Sequence, residues 1–140
     1  MQDGKISDQD LVKWAFGARE MSYSPYSEFK VGAALLAKNG EVFTGCNIES
    51  ASYSPTNCAE RTAFFKAVSE GTTEFAAIAV VGGKAGSNVD FCYPCGVCRQ
   101  VMAEFCNCDF RIILADSDNN LQVCSLAELL PYRFGPADLK

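Results

Sequence analysis

Two short cysteine groups carry the chemistry in this sequence. The first is Cys58-Ala59-Glu60-Arg61; the second is Pro94-Cys95-Gly96-Val97-Cys98-Arg99. Cys95 and Cys98 stand three residues apart, so on a helix they share one face. The surrounding pattern predicts that Cys58 opens one helix and that the Cys95/Cys98 pair opens another. A helix start offers unpaired amide N–H groups and a positive dipole end, which favour thiolate over thiol. Two such starts meeting at one edge of a sheet would present three thiolates to one cation. Zinc suits that donor set, being soft enough for sulfur and tetrahedral by preference. Three protein ligands leave a fourth position for water, which distinguishes a catalytic zinc from a closed structural one. Three thiolates also weaken zinc as a Lewis acid, and a nearby positive charge would offset this. Arg61 is the candidate for that charge, with Arg99 second.

Glu60 is the one carboxylate beside a proposed ligand. It could take a proton from water at the metal and pass it to a leaving group. Asn57-Cys58-Ala59-Glu60 also fits a capping box, the commoner role for these residue types, with Asn57 at the N-cap and Glu60 at N3. The two readings predict different losses on substitution. A lost cap costs about 1 kcal/mol of stability, whereas a lost acid/base group costs about 100- to 10,000-fold in rate.

The chain has 140 residues, eight cysteines and no histidine. Without histidine there is no Ser-His-Asp or Cys-His dyad and no imidazole metal ligand. Cys46, Cys106, Cys108 and Cys124 read as small buried hydrophobes. Cys92 raises alternatives. Cys92-x-x-Cys95-x-x-Cys98 has the spacing of a bacterial ferredoxin, but Met102 stands where the fourth cysteine would fall. A closed four-thiolate zinc with Cys92 as its fourth ligand is the other variant.

The length suits a single domain, residues 1–140. The formal charge of −5 and the lack of a basic run argue against nucleic acid as a partner. The start, Met1-Gln2-Asp3-Gly4-Lys5, has no apolar signal core, and the run Phe75 to Val81 is too short to span a bilayer. The expectation is therefore a cytoplasmic protein with reduced thiols and no membrane partner.

Elements able to position these groups follow from the apolar pattern. Asp8 to Met21 reads as a helix capped by Ser7. Phe29 to Ala37 and Glu41 to Ile48 read as a hairpin turning at Asn39-Gly40. Cys58 to Ser69 reads as a helix ending at Gly71. Phe75 to Val81 reads as a buried strand, Cys95 to Cys106 as a helix and Phe110 to Ala115 as another buried strand. Leu121 to Cys124 follows as a short strand, and Ser125 to Leu130 as a helix stopped by Pro131. A hairpin followed by alternating helices and strands predicts a three-layer α/β/α domain around a mixed, mostly five-stranded sheet.

Cys-Ala-Glu followed by Pro-Cys-x-x-Cys resembles the signature of zinc-dependent deaminases of cytidine and related bases. In many members the first ligand is histidine; Cys58 in that position resembles the small homotetrameric cytidine deaminases of nucleoside salvage. The resemblance extends over Ser24-Pro25-Tyr26-Ser27-x-Phe29, Gly45-Cys46-Asn47-Ile48-Glu49-Ser50-Ala51, Leu129-Leu130-Pro131 and Phe134-Gly135-Pro136. It implies one zinc per chain on Cys58, Cys95 and Cys98, with Glu60 as proton shuttle and Arg61 tempering the thiolate charge. It implies that Asn47 and Glu49 bond the ribose hydroxyls, that Phe29 packs beside the nucleoside and that the Ala59 backbone meets the pyrimidine edge. Ala51 and Tyr53 match a loop reaching a neighbouring subunit's site, and Phe134 an aromatic that covers the base from another subunit. The implied reaction is hydrolysis of cytidine and 2′-deoxycytidine to uridine, 2′-deoxyuridine and ammonia. Taken alone, these residues have plainer readings: Phe29 and Phe134 as core or interface, Asn47 as a turn residue, Glu49 as a solvated charge. Two positions depart from the family pattern: Tyr93 replaces a small residue, and Cys92 is an additional thiol. The rival functions are deamination of another amino-heterocycle and a non-enzymatic zinc or iron–sulfur module.

Overall fold

Alternation along one strand organises the molecule. In β1 (Phe29–Ala37), Ala33, Leu35 and Ala37 enter one core and Ala34 the other, as the two-residue strand period requires. Both faces are covered, so β1 reads as a nearly continuous apolar run. This is a computed structural model that describes residues 5–140; the first four residues of the polar start lie outside the described residues.

β1 pairs antiparallel with β2 (Val42–Cys46) on one side and with β3 (Phe75–Lys84) on the other. β3 pairs parallel with β4 (Arg111–Ala115), which pairs antiparallel with β5 (Leu121–Ser125). The mixed sheet therefore has the order β2-β1-β3-β4-β5. On one face lies α1 (Asp8–Arg19), burying Leu11, Val12 and Ala15 against Ala34, Ala79, Val81 and Ile113. On the other lie α2 (Ala59–Ser69) and α3 (Gly96–Phe105), burying Phe64, Ala67 and Met102 against Leu35, Ile78, Val80 and Ile112. The expected three layers are thus present. A four-residue helix, α4 (Leu126–Leu129), and a 3-10 turn at Pro136–Leu139 close the chain.

Local chemistry explains most boundaries. Ser7 accepts from Asp10 N while the Asp10 side chain accepts from Ser7 N, the expected cap made complete as a capping box. The hairpin turns at Gly40, whose φ of +94° suits glycine. β3 runs three residues past the expected Val81, because Gly82 and Gly83 pair with Val31 and Lys30. A side chain at Gly83 would come within 2.6 Å of Val89, and one at Gly82 within 3.0 Å of the Cys92 sulfur. These glycines let the following loop fold back onto the strand end. The same loop carries the chain to Cys95.

Close approach also sets α2. A Cβ at Gly45 would lie 2.4 Å from the Ala59 carbonyl oxygen and 2.6 Å from Ala63 N. Glycine at that point of β2 lets the first turns of α2 rest on the strand backbone.

Candidate metal centre and cleft

Cys58 is the N-cap of α2 and Cys95 the N-cap of α3; neither side chain makes a capping bond. Both sulfurs are therefore free to turn toward each other across the gap between the helix starts. Cys98, one turn into α3, is buried beneath them. Among the described residues, Cys58, Cys95 and Cys98 form a group whose sulfurs all lie within 4.8 Å of one another. Cys58 Sγ is 3.7 Å from Cys95 Sγ, which is 3.5 Å from Cys98 Sγ. Tetrahedral zinc with bonds of about 2.3 Å holds its sulfurs about 3.8 Å apart. The donor set and its spacing fit one zinc ion.

The charges agree with that fit. Arg61 donates from one guanidinium nitrogen to Cys58 Sγ at 3.2 Å. The Cys98 thiol and the Arg61 guanidinium favour the Cys58 thiolate against its burial, and Cys98, as proton donor to Cys58, is raised. Arg61 Nε is buried without a hydrogen-bond partner. The one salt bridge among the described residues joins Arg111 to Asp8, so Arg61 is in no ion pair with a carboxylate, and Cys58 and Cys98 are the groups that hold its charge. Three thiolates and a divalent ion leave one negative charge, which one arginine cancels. Arg99, the second candidate, is turned away. It donates to the carbonyls of Pro94 and Leu129 and fixes the chain entering Cys95.

Glu60 is 4% exposed beside these sulfurs. Burial is the main cause that pushes its carboxyl up to about 7; the Cys58 charge raises it further and Arg61 opposes the rise. The capping box expected as one reading of this carboxylate is absent. α2 begins one residue later than that reading requires, Cys58 is the N-cap, and Asn57 donates instead to the Thr62 hydroxyl. Glu60 therefore points into the protein rather than back along its own helix.

A cleft of about 260 Å³ leads from the sulfurs outward, and Phe29, Asn47, Glu49, Cys58, Ala59, Glu60 and Cys95 all line it. Backbone pairing joins its two ends. Ile48 and Asn57 exchange N–H···O bonds of 2.9 Å, while Tyr23 N donates to Asn47 O and Glu49 N to Tyr23 O. The segment bearing Asn47 and Glu49 is thus stitched to the residue preceding Cys58. Asn47 Oδ1 accepts from Val31 N and Ser22 Oγ, and Nδ2 donates to the Phe29 carbonyl. One amide N–H remains for the cleft. Glu49 accepts from Tyr26 N, Ser27 N and the Ser27 hydroxyl, so its carboxylate lies below its usual range.

Other residues stand apart. Tyr53 lines a neighbouring cleft of about 370 Å³ with Tyr26, Ser27 and Glu49. Ala51 is exposed on the same loop. Phe134 is 57% exposed and lines neither cleft; its carbonyl accepts from Gln100. Cys92 and Tyr93 line the main cleft; by sequence Tyr93 is only a departure from the family pattern, while Cys92 is also a candidate fourth ligand. Cys92 is outside the group of three sulfurs. Its thiol packs over Gly82, apart from the three sulfurs, so neither a four-thiolate zinc nor a ferredoxin-like set assembles here. Tyr93 donates its hydroxyl to Gln122 of β5 at 2.6 Å.

Residues 5–114 match the family described as the cytidine and deoxycytidylate deaminase zinc-binding region. The chain is 52% identical over 131 residues to the cytidine deaminase of Sporosarcina psychrophila, covering 94% of this chain and 93% of that one. It is 51% identical over 131 residues to the cytidine deaminase of Halalkalibacterium halodurans, covering 94% and 96%. Among solved structures it is similar to the cytidine deaminase of Burkholderia pseudomallei, with a TM-score of 0.83 at 48% identity, covering 91% of this chain and 99% of the other.

Proposed function

The chain belongs to the cytidine and deoxycytidylate deaminase family, and from that premise we propose that it hydrolyses cytidine and 2′-deoxycytidine to uridine and 2′-deoxyuridine, releasing ammonia. The observation that carries the reading is the placement of one buried carboxyl, Glu60, beside three converging thiols, two of which line a cleft with it. Cys58, Cys95 and Cys98 would hold one zinc ion. A zinc bound there supplies a Lewis acid that brings the ionisation of water toward neutral pH.

The chain's own residues do the rest. Glu60, its carboxyl raised by burial, is the group that accepts a proton and gives it up again. It takes the proton from the attacking water, delivers it to ring N3, and then moves a second proton to the departing amine as C4 loses its nitrogen. Arg61 keeps Cys58 ionised. The backbone of Ala59, buried at the start of α2, bonds the pyrimidine edge, and Phe29 flanks the ring. At the outer end the free N–H of Asn47 donates to a ribose hydroxyl oxygen, and the Glu49 carboxylate accepts a ribose O–H. No cationic side chain lines this cleft, so a free nucleoside suits it better than a nucleotide.

The assembly proposed is a homotetramer in which Ala51, Tyr53 and Phe134 serve a neighbouring subunit's site. Its support is the exposure of Tyr53, at 74%, and of Phe134, two aromatics that a lone chain leaves to water. All eight cysteines are free thiols, which supports a reducing cytoplasm, and no helix among the described residues is long and apolar enough to cross a membrane.

The test is the fall in ultraviolet absorbance when cytidine, deoxycytidine and cytidine monophosphate are offered in turn, before and after zinc removal. Turnover of the two nucleosides, weak turnover of the monophosphate and loss of all three on chelation are expected. Full activity in metal-free protein would overturn the mechanism.

A further inference from the structure

Ser27 belongs to no part of the reaction described so far, yet it touches two of the groups that line the cleft. Its hydroxyl donates to Glu49 Oε2, and its backbone N–H donates to Glu49 Oε1 at 3.2 Å. The same hydroxyl oxygen accepts from Phe29 N at 3.0 Å. Between Ser27 and Phe29 stands Glu28, whose φ of +59° is uncommon for a residue with a side chain. That turn is secured independently of the hydroxyl, by Glu28 N to the Ser24 carbonyl at 3.0 Å and Ala85 N to the Glu28 carbonyl at 2.8 Å.

The two carboxylate oxygens of Glu49 are held differently. Oε1 takes two backbone N–H groups, from Tyr26 and Ser27. Oε2 takes the Ser27 hydroxyl. Removing that hydroxyl leaves Oε1 anchored and frees Oε2 to swing about it. Ser27 also borders both clefts, the one leading to the sulfurs and the one beside Tyr53.

We propose that Ser27 is a positioning residue for sugar recognition, its hydroxyl aiming the Glu49 carboxylate at the nucleoside's ribose hydroxyls. The proposal rests on the reading of Glu49 as the sugar-binding carboxylate. A group held in advance loses less freedom on binding, so the effect falls on substrate affinity and not on the chemical step.

The experiment measures kcat and KM separately for cytidine and for 2′,3′-dideoxycytidine, which lacks the 2′- and 3′-hydroxyls, in the zinc-loaded enzyme. Ser27→Ala is expected to raise KM for cytidine about tenfold, with kcat within about twofold, and to leave KM for the dideoxy substrate unchanged. Ser27→Thr, which keeps a hydroxyl, is expected to restore the cytidine KM. A Ser27→Ala enzyme with unchanged kinetics overturns the proposal. So does one whose KM rises equally for both substrates, since that is the mark of a purely structural turn residue. Glu49→Gln separates the two layers of the argument. If it leaves the cytidine KM unchanged, the sugar-binding reading of Glu49 fails and Ser27 with it. If Glu49→Gln raises that KM while Ser27→Ala does not, only Ser27 loses its role.

Discussion

The guanidinium of Arg61 lies 3.2 Å from the sulfur of Cys58, three residues before it at the start of the same helix. The contact puts a fixed positive charge on a thiol that a zinc ion requires as thiolate. Arg61→Ala is expected to weaken zinc retention about 10- to 100-fold, the usual effect of losing a group that orients a ligand. Competition with a chelator of known zinc affinity measures this directly. Retention equal to wild type would show that the thiolate charge is balanced elsewhere.

Glu60 carries no cap, so its removal separates catalysis from stability. Glu60→Gln is expected to cut kcat about 100- to 10,000-fold. The melting temperature should hold or rise, because the amide has no charge to bury at the 4%-exposed position. Activity assays and thermal melts on the same zinc-loaded sample decide it.

Two glycines predict opposite results. Gly45→Ala places a methyl 2.4 Å from the Ala59 carbonyl and pushes α2 off its strand, so a loss of about 1–3 kcal/mol with reduced zinc content is expected. Gly17→Ala meets nothing within 4 Å in the last turn of α1 and should stabilise by about 0.5–1 kcal/mol. Urea denaturation and zinc analysis of the pair check both directions.

Burial raises the Cys106 thiol from 9.0 to about 12. A raised value means that the folded state holds the proton more tightly than the unfolded one. This contribution is complete below pH 9.0 and is lost as the pH climbs toward about 12. The wild type should therefore lose melting temperature between pH 9 and pH 12 more steeply than Cys106→Ala, which has no thiol to ionise there. Parallel melting curves against pH would show the slope to come from other groups.

Shared sites predict complementation. If Phe134 serves a neighbouring subunit, mixing and reassembling Glu60→Gln with a weakened Phe134→Ala variant should yield more activity than either variant alone. Mass measurement in solution reads the assembly state beside it. A monomer with full activity would end the tetramer reading.

The sequence alone was enough for the number and order of the strands along the chain and for the three ligand candidates. β1 matched its expected span, Phe29–Ala37, because a strand covered on both faces must be apolar throughout. Cys58, Cys95 and Cys98 were legible because helix starts are marked locally by residue type and spacing. Gly82 and Gly83 were not legible as strand, since glycine carries no apolar signal and their pairing with Val31 and Lys30 depends on residues far away in the chain. Two open questions at the site were likewise left to tertiary structure. Glu60 fits a cap by its neighbours in sequence, and only the packing of α2 on Gly45 and the burial beneath it show the carboxyl turned inward. Cys92 matches a ligand by spacing, and only the fold of its loop over Gly82 places it outside the group of sulfurs. Residue types specify which groups are able to ionise and ligate; which of them meet, and in how dry a place, depends on contacts between segments that sequence spacing does not encode.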